Sequence, residues 1–370
     1  MNYYSHSAQS YMRRAIQLAK NGTGRVSPNP LVGAVLVKNN RIIGEGWHAK
    51  YGDLHAERHA LQNCTESPKG ADLFVTLEPC CHHGKQPPCT DAIIEAGIRR
   101  VFIGSYDPNP LVSGKSSQIL RAAGIETFYE VLPEECDALN AFFFHYMKTK
   151  QPYVICKYAM SADGKIACGN GDSRWVTGKI ARAHVQETRK AVSAILVGIM
   201  TVLADDPSLL CHMDDPVHPV RVVCDTALRI PERCQLVQTA AESPVIIMTC
   251  SDKHDKIQRL TDKGVTVCQV SEKNGRTDLA EVLLKLAEMG LTSVLIEGGA
   301  QIHAAALKTG MVSELQAYIA PKIVGGDGIS PVGPLGLKRM KDAAIFSEPK
   351  VQLLGTDILI TLKAKGASAE

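Results

Sequence analysis

The sequence has little excess charge of either sign and no long hydrophobic run. Its 41 lysines and arginines against 38 acidic residues leave a net charge of +3 over 370 residues. Such a small excess argues against a chain held to nucleic acid or anionic lipid by bulk charge. The longest apolar stretch, residues 191–204, is interrupted by Ser193, Gly198 and Thr201 and is too short to span a bilayer. We therefore expect no binding to nucleic acid and no membrane association.

Two further features are missing. The first twenty residues lack the apolar region and small-residue cleavage site of a secretion signal and instead have the pattern of an amphipathic helix. We therefore expect a cytoplasmic protein whose twelve cysteines are mostly reduced. No Gly-x-Gly-x-x-Gly motif follows a strand in residues 150–370, which disfavours an ordinary Rossmann domain.

The length and the alternation of patterns predict two domains. At 370 residues the chain exceeds a single core of usual size. Strand and helix signals alternate up to about residue 146, with a hairpin at Asn39 and Asn40, and this indicates helices covering a largely parallel sheet. The composition changes in residues 147–154, and a second series of apolar strands follows. We predict two α/β domains, residues 1–148 and 149–370.

Three potential zinc ligands lie at the ends of predicted elements. His55 begins a helix, Cys80 follows an apolar strand, and Cys89 opens the next helix, where the helix dipole favours a thiolate. Three protein ligands leave a fourth position for water, as in catalytic zinc sites. Glu57, two residues after His55, could take a proton from that water and pass it to a leaving amine. This is the acid–base chemistry of hydrolytic deamination.

Other interpretations of the same histidines are possible. His55 and His59 are four residues apart, as in zinc peptidases, but Ala56 occupies the position of the peptidase glutamate. His82 or His83 could instead supply a fourth ligand and close a structural zinc site. For these additional histidines a role on the surface or around the ligands is favoured over ligation.

The order His-x-Glu, Pro-Cys and a later Cys is the signature of zinc nucleobase deaminases, but here eight residues separate the two cysteines instead of the usual two. With this longer loop, "HAE" and "EPCCHHGKQPPCTDAI" resemble the deaminase domain of the bifunctional riboflavin-biosynthesis deaminase–reductases. The segments "SPNPLVGAV" and "DPNPLVSGKS" fit the same family. In the second half, "KYAMSADGKIA", "GDSRWVTG", "AILVGIMTVLADDPSL" and "VLIEGGAQIHAAAL" resemble its reductase domain. The resemblance extends from about residue 5 to residue 362, in the family's domain order.

The resemblance implies a cytidine-deaminase-like αβα domain followed by a dihydrofolate-reductase-like α/β domain. It implies zinc-dependent deamination of 2,5-diamino-6-(5-phosphoribosylamino)pyrimidin-4(3H)-one, and then NADPH-dependent reduction of the ribosyl group to ribityl. His55, Cys80 and Cys89 match the zinc ligands, and Glu57 matches the proton carrier. Positions that match the family's substrate contacts are Asn29, Lys85, Asp107, Asn109, Ser173, Arg189, Leu209 and Glu297. Positions that match its NADPH contacts are Met160, Trp175, Thr201, Asp205 and Gly299.

Three residues of the second domain need separate comment. Lys157 lies at the end of the first strand, and our hypothesis is that it polarises the sugar carbonyl or imine. His212 stands where the family usually has an arginine that helps to hold the substrate, and a partly protonated imidazole could still assist a phosphate. Gly299 follows a buried strand and precedes a helix, so a cofactor phosphate could approach backbone N–H groups there.

Two other functions are open at this point. One is a zinc deaminase of nucleosides or tRNA with a recruiting second domain. Three features argue against it: the near-neutral charge, the long inter-cysteine loop and the glycine turn at 298. The other is a zinc-stapled binding protein without turnover, which predicts that removal of Glu57 has no effect. We favour the bifunctional enzyme, acting on a small pyrimidine ribose phosphate, and expect a homo-oligomer.

Overall fold

The computed structural model describes residues 5–84, 86–109 and 112–365. The chain divides into two compact units, residues 1–150 and 151–370, so the division follows residue 150 where the sequence suggested residue 148. No helix within the described ranges is both long enough and apolar enough to cross a membrane.

The first unit contains one five-stranded sheet. Its elements are α1 (His6–Ala19), β1 (Gly33–Lys38), β2 (Arg41–Trp47), α2 (Ala56–Gln62), β3 (Asp72–Leu77), α3 (Cys89–Glu95), β4 (Arg100–Ser105), α4 (Lys115–Ala122), β5 (Glu126–Phe128), α5 (Pro133–Leu139) and α6 (Ala141–Thr149). The strand order is β2-β1-β3-β4-β5. The expected hairpin pairs Lys38 with Arg41, and β1 is also antiparallel to β3. The expectation of a largely parallel sheet therefore holds only across β3, β4 and β5.

Both faces of this sheet are covered by helices. Strand β1 shows why, since its buried residues alternate between the two sides. Ala34 and Leu36 pack in a core with residues of α2, α3 and α4. Val35 and Val37 pack in a second core with residues of α1 and α5. The predicted αβα architecture is confirmed.

The second unit contains a nine-stranded sheet. Its elements are β6 (Tyr153–Ser161), α7 (Lys179–Ala191), β7 (Ala194–Gly198), α8 (Ile199–Asp205), β8 (Val220–Cys224), α9 (Gln235–Gln238), β9 (Val245–Thr249), α10 (His254–Asp262), β10 (Val265–Gln269), β11 (Glu272–Lys273), β12 (Arg276–Thr277), α11 (Leu279–Glu288), β13 (Ser293–Gly298), α12 (Ala300–Thr309), β14 (Val312–Ala320), β15 (Lys350–Leu354) and β16 (Asp357–Lys363). The order in the large sheet is β10-β9-β8-β7-β13-β6-β14-β16-β15. The first seven of these strands are parallel. Strand β16 pairs antiparallel with β14, and β15 pairs antiparallel with β16; neither strand was predicted from the sequence.

The topology brings several functional candidates to one edge of the large sheet. Strand β13 lies between β7 and β6, although it follows both in the chain. Helix α8 begins directly after β7, and α12 begins one residue after β13. Ligands of open α/β sheets bind at the carboxyl ends of the strands, where the direction of chain progression changes. This edge is therefore where a ligand of the second unit is expected.

In the first unit, β2 and α2 approach each other so closely that only glycine fits at position 46. A Cβ atom there would lie 2.2 Å from the backbone nitrogen of Ala60 and 2.5 Å from the carbonyl oxygen of Ala56. Both contacts are backbone atoms, which cannot rotate away. This contact fixes the position of α2, whose first turn carries Glu57.

We predict that Gly46→Ala destabilises the first unit by about 1–3 kcal/mol or more, because the added methyl group must push α2 away from β2. The measurement is the urea midpoint for unfolding of the full-length protein. Gly84→Ala is the matched control, since a Cβ atom at Gly84 has no neighbour within 4 Å. Equal midpoints for the two variants would contradict the proposed close contact.

Candidate active sites

Three donor atoms from three different elements of the first unit lie close together. His55 precedes α2 as its N-cap, Cys80 follows β3, and Cys89 is the first residue of α3. Their ligand atoms all lie within 4.8 Å of one another. His55 Nδ1 is 3.4 Å from each of the two Sγ atoms. Bonds of about 2.0–2.3 Å to a tetrahedral zinc ion place neighbouring donor atoms roughly 3.5 Å apart, so this donor set fits zinc.

The electrostatics of the cluster favour a bound thiolate. Hydrogen bonds from Cys89 and from His55 lower the pKa of Cys80, although burial acts in the opposite direction, whereas the hydrogen bond to Cys80 and burial raise the pKa of Cys89. The backbone N–H of Cys89 also donates to Cys80 Sγ at 3.3 Å. A thiolate is the form of cysteine that binds a metal.

Glu57 lies beside the cluster in a cavity of about 290 Å³. Its side chain is 3% exposed, and burial raises the pKa of the carboxyl group. The cavity is also lined by His55 and Cys80. A carboxyl group is therefore enclosed next to the candidate metal position, as the sequence analysis expected.

The additional histidines do not join the three-donor cluster. His59 Nδ1 lies 2.9 Å from the carbonyl oxygen of Trp47 and 3.3 Å from the backbone nitrogen of Trp47. The His59 ring therefore connects α2 to the end of β2. His82 lines the same cavity as Glu57, and its Nδ1 is buried without a hydrogen-bond partner. Among the residues that the structure describes, the cluster consists of three residues. The geometry therefore favours an open site over a closed structural one.

Asn29 lies in the same cavity and its amide has a defined orientation. Its Nδ2 is 3.1 Å from His48 Nε2, and His48 Nδ1 is 3.0 Å from the carbonyl oxygen of Leu54. Because a carbonyl oxygen only accepts, His48 carries its proton on Nδ1, and Nε2 accepts from the Asn29 amide. His48 was not predicted as a site residue, although it directly follows β2.

Asp107 and Asn109 line the cavity as well. Asp107 accepts a 2.8 Å hydrogen bond from the backbone N–H of Asn109, and burial raises the pKa of Asp107 to about 6. Glu78, which also lines the cavity, was not predicted. The sequence feature that could have identified Glu78 is its position between an apolar strand and Pro79. Lys85 lies outside the described residues.

In the second unit, Arg189 and Glu297 form a bidentate ion pair whose side chains are 15% and 7% exposed. The Nε–Oε1 and Nη2–Oε2 distances are 2.8 Å and 2.7 Å, and Arg189 Nη1 also donates to the carbonyl oxygen of Leu210 at 2.9 Å. Burial alone would raise the pKa of Glu297, but Arg189 and Lys157 lower it to about 2. The guanidinium that matched a substrate contact in the sequence is thus engaged with a carboxylate that matched another.

Lys157 lies next to this pair. Strands β6 and β13 are paired at Cys156 and Ile296, so Lys157 and Glu297 are the next residues on the neighbouring strands. Burial lowers the pKa of Lys157, and the charge of Glu297 partly opposes this shift. The ammonium also lies 5.8 Å from the ring centroid of Tyr318. The predicted catalytic lysine is therefore half-buried in a charged environment.

The predicted cofactor residues are only partly brought together. A Cβ atom at Gly298 would lie 2.8 Å from Thr201 Oγ1, and Gly299 has a φ of +83° that favours glycine. Thr201 and the glycine turn are therefore in contact. Asp205 is the last residue of α8, and its carbonyl oxygen accepts a 3.5 Å hydrogen bond from Arg174. Met160 lies near the end of β6.

The remaining predicted residues lie on loops. Ser173 and Trp175 line a cavity of about 130 Å³, and the guanidinium of Arg182 lies 4.4 Å from the Trp175 ring centroid. Leu209 is buried with a φ of 55°. His212 is exposed, and its backbone N–H donates to Gln186 Oε1 at 2.8 Å.

The folds and sites together define a two-domain protein with a zinc-deaminase-type unit followed by a reductase-type α/β unit. Residues 5–105 match the family model "Cytidine and deoxycytidylate deaminase zinc-binding region". Residues 152–360 match the model "RibD C-terminal domain". The chain belongs to the RibD family of riboflavin biosynthesis proteins, which confirms the resemblance seen in the sequence.

Individual relatives support this assignment over nearly the whole chain. The riboflavin biosynthesis protein RibD of Actinobacillus pleuropneumoniae is 53% identical over 95% of this chain and 93% of its own length. RibD of Escherichia coli K12 is 37% identical over 95% of this chain and 98% of its own length. The crystal structure of a diaminohydroxyphosphoribosylaminopyrimidine deaminase/5-amino-6-(5-phosphoribosylamino)uracil reductase from Thermotoga maritima superimposes with a TM-score of 0.88, 39% identity and coverage of 97% and 99%.

The ion pair of Arg189 and Glu297 predicts a specific acid sensitivity. Because the pKa of Glu297 is about 2 in the folded protein instead of 4.5, its contribution to stability is complete above about pH 5. That contribution, about 3 kcal/mol, is lost as the pH falls towards 2. Glu297→Gln removes this pH dependence and leaves the largely buried guanidinium of Arg189 without its carboxylate partner, which costs about 3–5 kcal/mol at pH 7.

The free energy of unfolding in urea is measured for the wild type and for Glu297→Gln between pH 3 and pH 7, and the difference between the two proteins is followed as the pH changes. The control is Glu288→Gln, because Glu288 is an exposed carboxylate at the end of α11. If the difference in the free energy of unfolding between the wild type and Glu297→Gln does not change with pH, the ion pair does not lower the pKa of Glu297.

Proposed function

We propose that this chain catalyses two consecutive steps of riboflavin biosynthesis, with deamination in the first unit and reduction in the second. As a member of the RibD family it is a bifunctional deaminase and reductase. The substrate is 2,5-diamino-6-(5-phosphoribosylamino)pyrimidin-4(3H)-one, and the product of its deamination is then reduced with NADPH. The observation that carries the proposal is the buried Glu57 carboxyl beside the donors His55, Cys80 and Cys89.

In the deaminase unit, His55, Cys80 and Cys89 would hold zinc. Zinc bound there supplies a nucleophile at neutral pH by lowering the pKa of water. Glu57 carries two protons in turn: its carboxylate takes one from the attacking water and gives it to the ring nitrogen, and then takes the proton of the newly added hydroxyl group and gives it to the departing amine, so that ammonia leaves as a neutral molecule. The enclosed position of Glu57 keeps this proton from exchanging freely with bulk water.

Other side chains of the cavity would orient the pyrimidine and its ribose phosphate. The hydrogen bond to His48 directs the Asn29 amide nitrogen away from the substrate, and this leaves the Asn29 Oδ1 available as an acceptor. Asp107 and Asn109 offer polar atoms to the ribose. For Lys85, a phosphate contact is proposed from the sequence pattern alone.

In the reductase unit, NADPH would supply the hydride. We assign its binding to the carboxyl edge of the sheet, where Thr201 contacts the Gly298–Gly299 turn; the other assigned contacts are Met160, Trp175 and Asp205. Lys157 donates a proton or a hydrogen bond to the sugar oxygen or imine nitrogen as the hydride arrives. Its lowered pKa makes it a better proton donor than an ordinary lysine.

The reductase substrate would contact Ser173, Arg189, Leu209, His212 and Glu297. Arg189 retains donor hydrogens beyond those used on Glu297, because a guanidinium has five N–H donors. We further propose that the protein acts in the cytoplasm as a homo-oligomer and binds no nucleic acid. The rival functions, a nucleoside or tRNA deaminase and a non-catalytic binding protein, are disfavoured by family membership over about 95% of the chain.

The test for the first unit is ammonia release from the diaminopyrimidine phosphate without NADPH. We expect Glu57→Gln to slow this release by about 10²–10⁴-fold, because the mobile proton is lost. Its zinc content and its reduction of the deaminated substrate should equal those of the wild type. Normal ammonia release by Glu57→Gln would remove Glu57 from the mechanism and favour a site that binds without turnover.

The test for the second unit is NADPH oxidation with the deaminated substrate. We expect Lys157→Met to lower the rate of reduction by about 10²-fold or more, because the proton donor is lost while the apolar stem remains. NADPH affinity, measured by fluorescence, and ammonia release should not change. Lys308→Met is the control, since Lys308 lies on the exposed face of α12. Full reductase activity in Lys157→Met would exclude Lys157 as the donor.

A further inference from the structure

We propose that Glu78 is a positioning residue of the deaminase unit and holds both ends of the segment made up of residues 105–109 and 112–114. Asp107 and Asn109 of this segment line the cavity. The inference rests on the proposed function, because it assigns a cause to substrate binding in the same cavity. Glu78 follows β3 directly and is 3% exposed.

The carboxylate of Glu78 accepts hydrogen bonds from three donors. Ser116 Oγ donates at 2.6 Å, the backbone N–H of Gly114 at 3.1 Å, and the Tyr129 hydroxyl at 3.1 Å. Gly114 is the N-cap of α4, and Ser116 lies in its first turn. A buried carboxylate is costly unless hydrogen bonds compensate it. The side chain of Glu78 therefore fixes the end of the segment to the end of β3.

The beginning of the segment is fixed by the same residue. The backbone N–H of Glu78 donates to the carbonyl oxygen of Ser105 at 3.0 Å. The ring of Tyr106 stacks on that of Tyr129 with centroids 4.3 Å apart and planes 9° apart. Because the Tyr129 hydroxyl is bound to Glu78, this stack connects the first residues of the segment to the carboxylate as well.

The two described stretches of the segment are also hydrogen-bonded to each other. The Asn109 carbonyl oxygen accepts hydrogen bonds from the backbone of Val112 and of Ser113, both at 2.9 Å. Asp107 Oδ1 accepts from the backbone of Asn109, and both side chains face the cavity. The two described stretches are thus fixed to each other, their position relative to the pyrimidine depends on where they are attached, and Glu78 contacts both attachment points.

Loss of a positioning residue such as Glu78 should change the kinetics in a different way from loss of a catalytic residue. Displacement of the segment weakens contacts that the substrate makes in both the ground state and the transition state. Loss of such uniform binding raises KM and leaves kcat nearly unchanged. A carboxylate needed only for folding would instead lower zinc content, stability and kcat together.

The experiment compares Glu78→Gln with Asp72→Asn in the full-length, zinc-loaded protein. A glutamine has one acceptor oxygen and cannot accept from all three donors. Asp72 is the matched control, because it begins the same strand at the opposite end and pairs with Arg99 and Arg100. For Glu78→Gln we expect a KM for ammonia release raised about tenfold, with kcat within about threefold of the wild type. Asp72→Asn should retain the wild-type KM.

Zinc content and the reductase rate of each variant serve as internal checks that both units are folded. If Glu78→Gln does not fold, Ser116→Ala and Tyr129→Phe each remove one donor, and each should raise KM by a smaller factor with kcat unchanged. An unchanged KM in all three variants, or a fall in kcat and zinc content without a rise in KM, would overturn the proposal. Absence of ammonia release by the wild type would instead overturn the proposed function itself.

Discussion

The deaminase unit depends on the convergence of three element ends on one small volume. His55 at the start of α2, Cys80 after β3 and Cys89 at the start of α3 place their donor atoms within 4.8 Å of one another. None of the three elements can move without breaking this arrangement. The close packing at Gly46 fixes α2 against the sheet, and the hydrogen bond from the Cys89 backbone to Cys80 fixes α3 against the end of β3. The cavity and the enclosed place of Glu57 beside the three donors follow from that constraint.

The second unit relies on buried charge. Lys157 and Arg189 carry two positive charges near the single negative charge of Glu297, so the group has an excess positive charge in a largely buried place. A buried ion pair contributes little to stability relative to apolar packing, but removal of one partner is expensive. An excess positive charge at the carboxyl edge of a parallel sheet suits a phosphorylated ligand and a proton-donating lysine. The ion pair thus organises this site and also makes it sensitive to acid.

Local sequence patterns predicted the parts of the site that depend on short motifs. The three zinc-ligand candidates and Glu57 were found because each lies at the end of a recognisable element, and the glycine turn followed from the strand before it. The pairing of Arg189 with Glu297 was not predicted, because the two residues are 108 positions apart. Glu78 was missed for the same reason, since its donors come from residues 114 to 129. Strands β15 and β16 were overlooked although "KVQLLGTDILITLK" contains a glycine turn between two runs of β-branched and apolar residues.

A single polypeptide carries both units, with the division at residue 150. Every molecule synthesised therefore brings one copy of each catalyst, whatever the level of expression. A cell that uses this chain cannot raise the capacity for the first step without raising the second equally. Any imbalance between the two fluxes must then be corrected through turnover numbers or substrate supply, and selection on either half acts on a jointly inherited gene product.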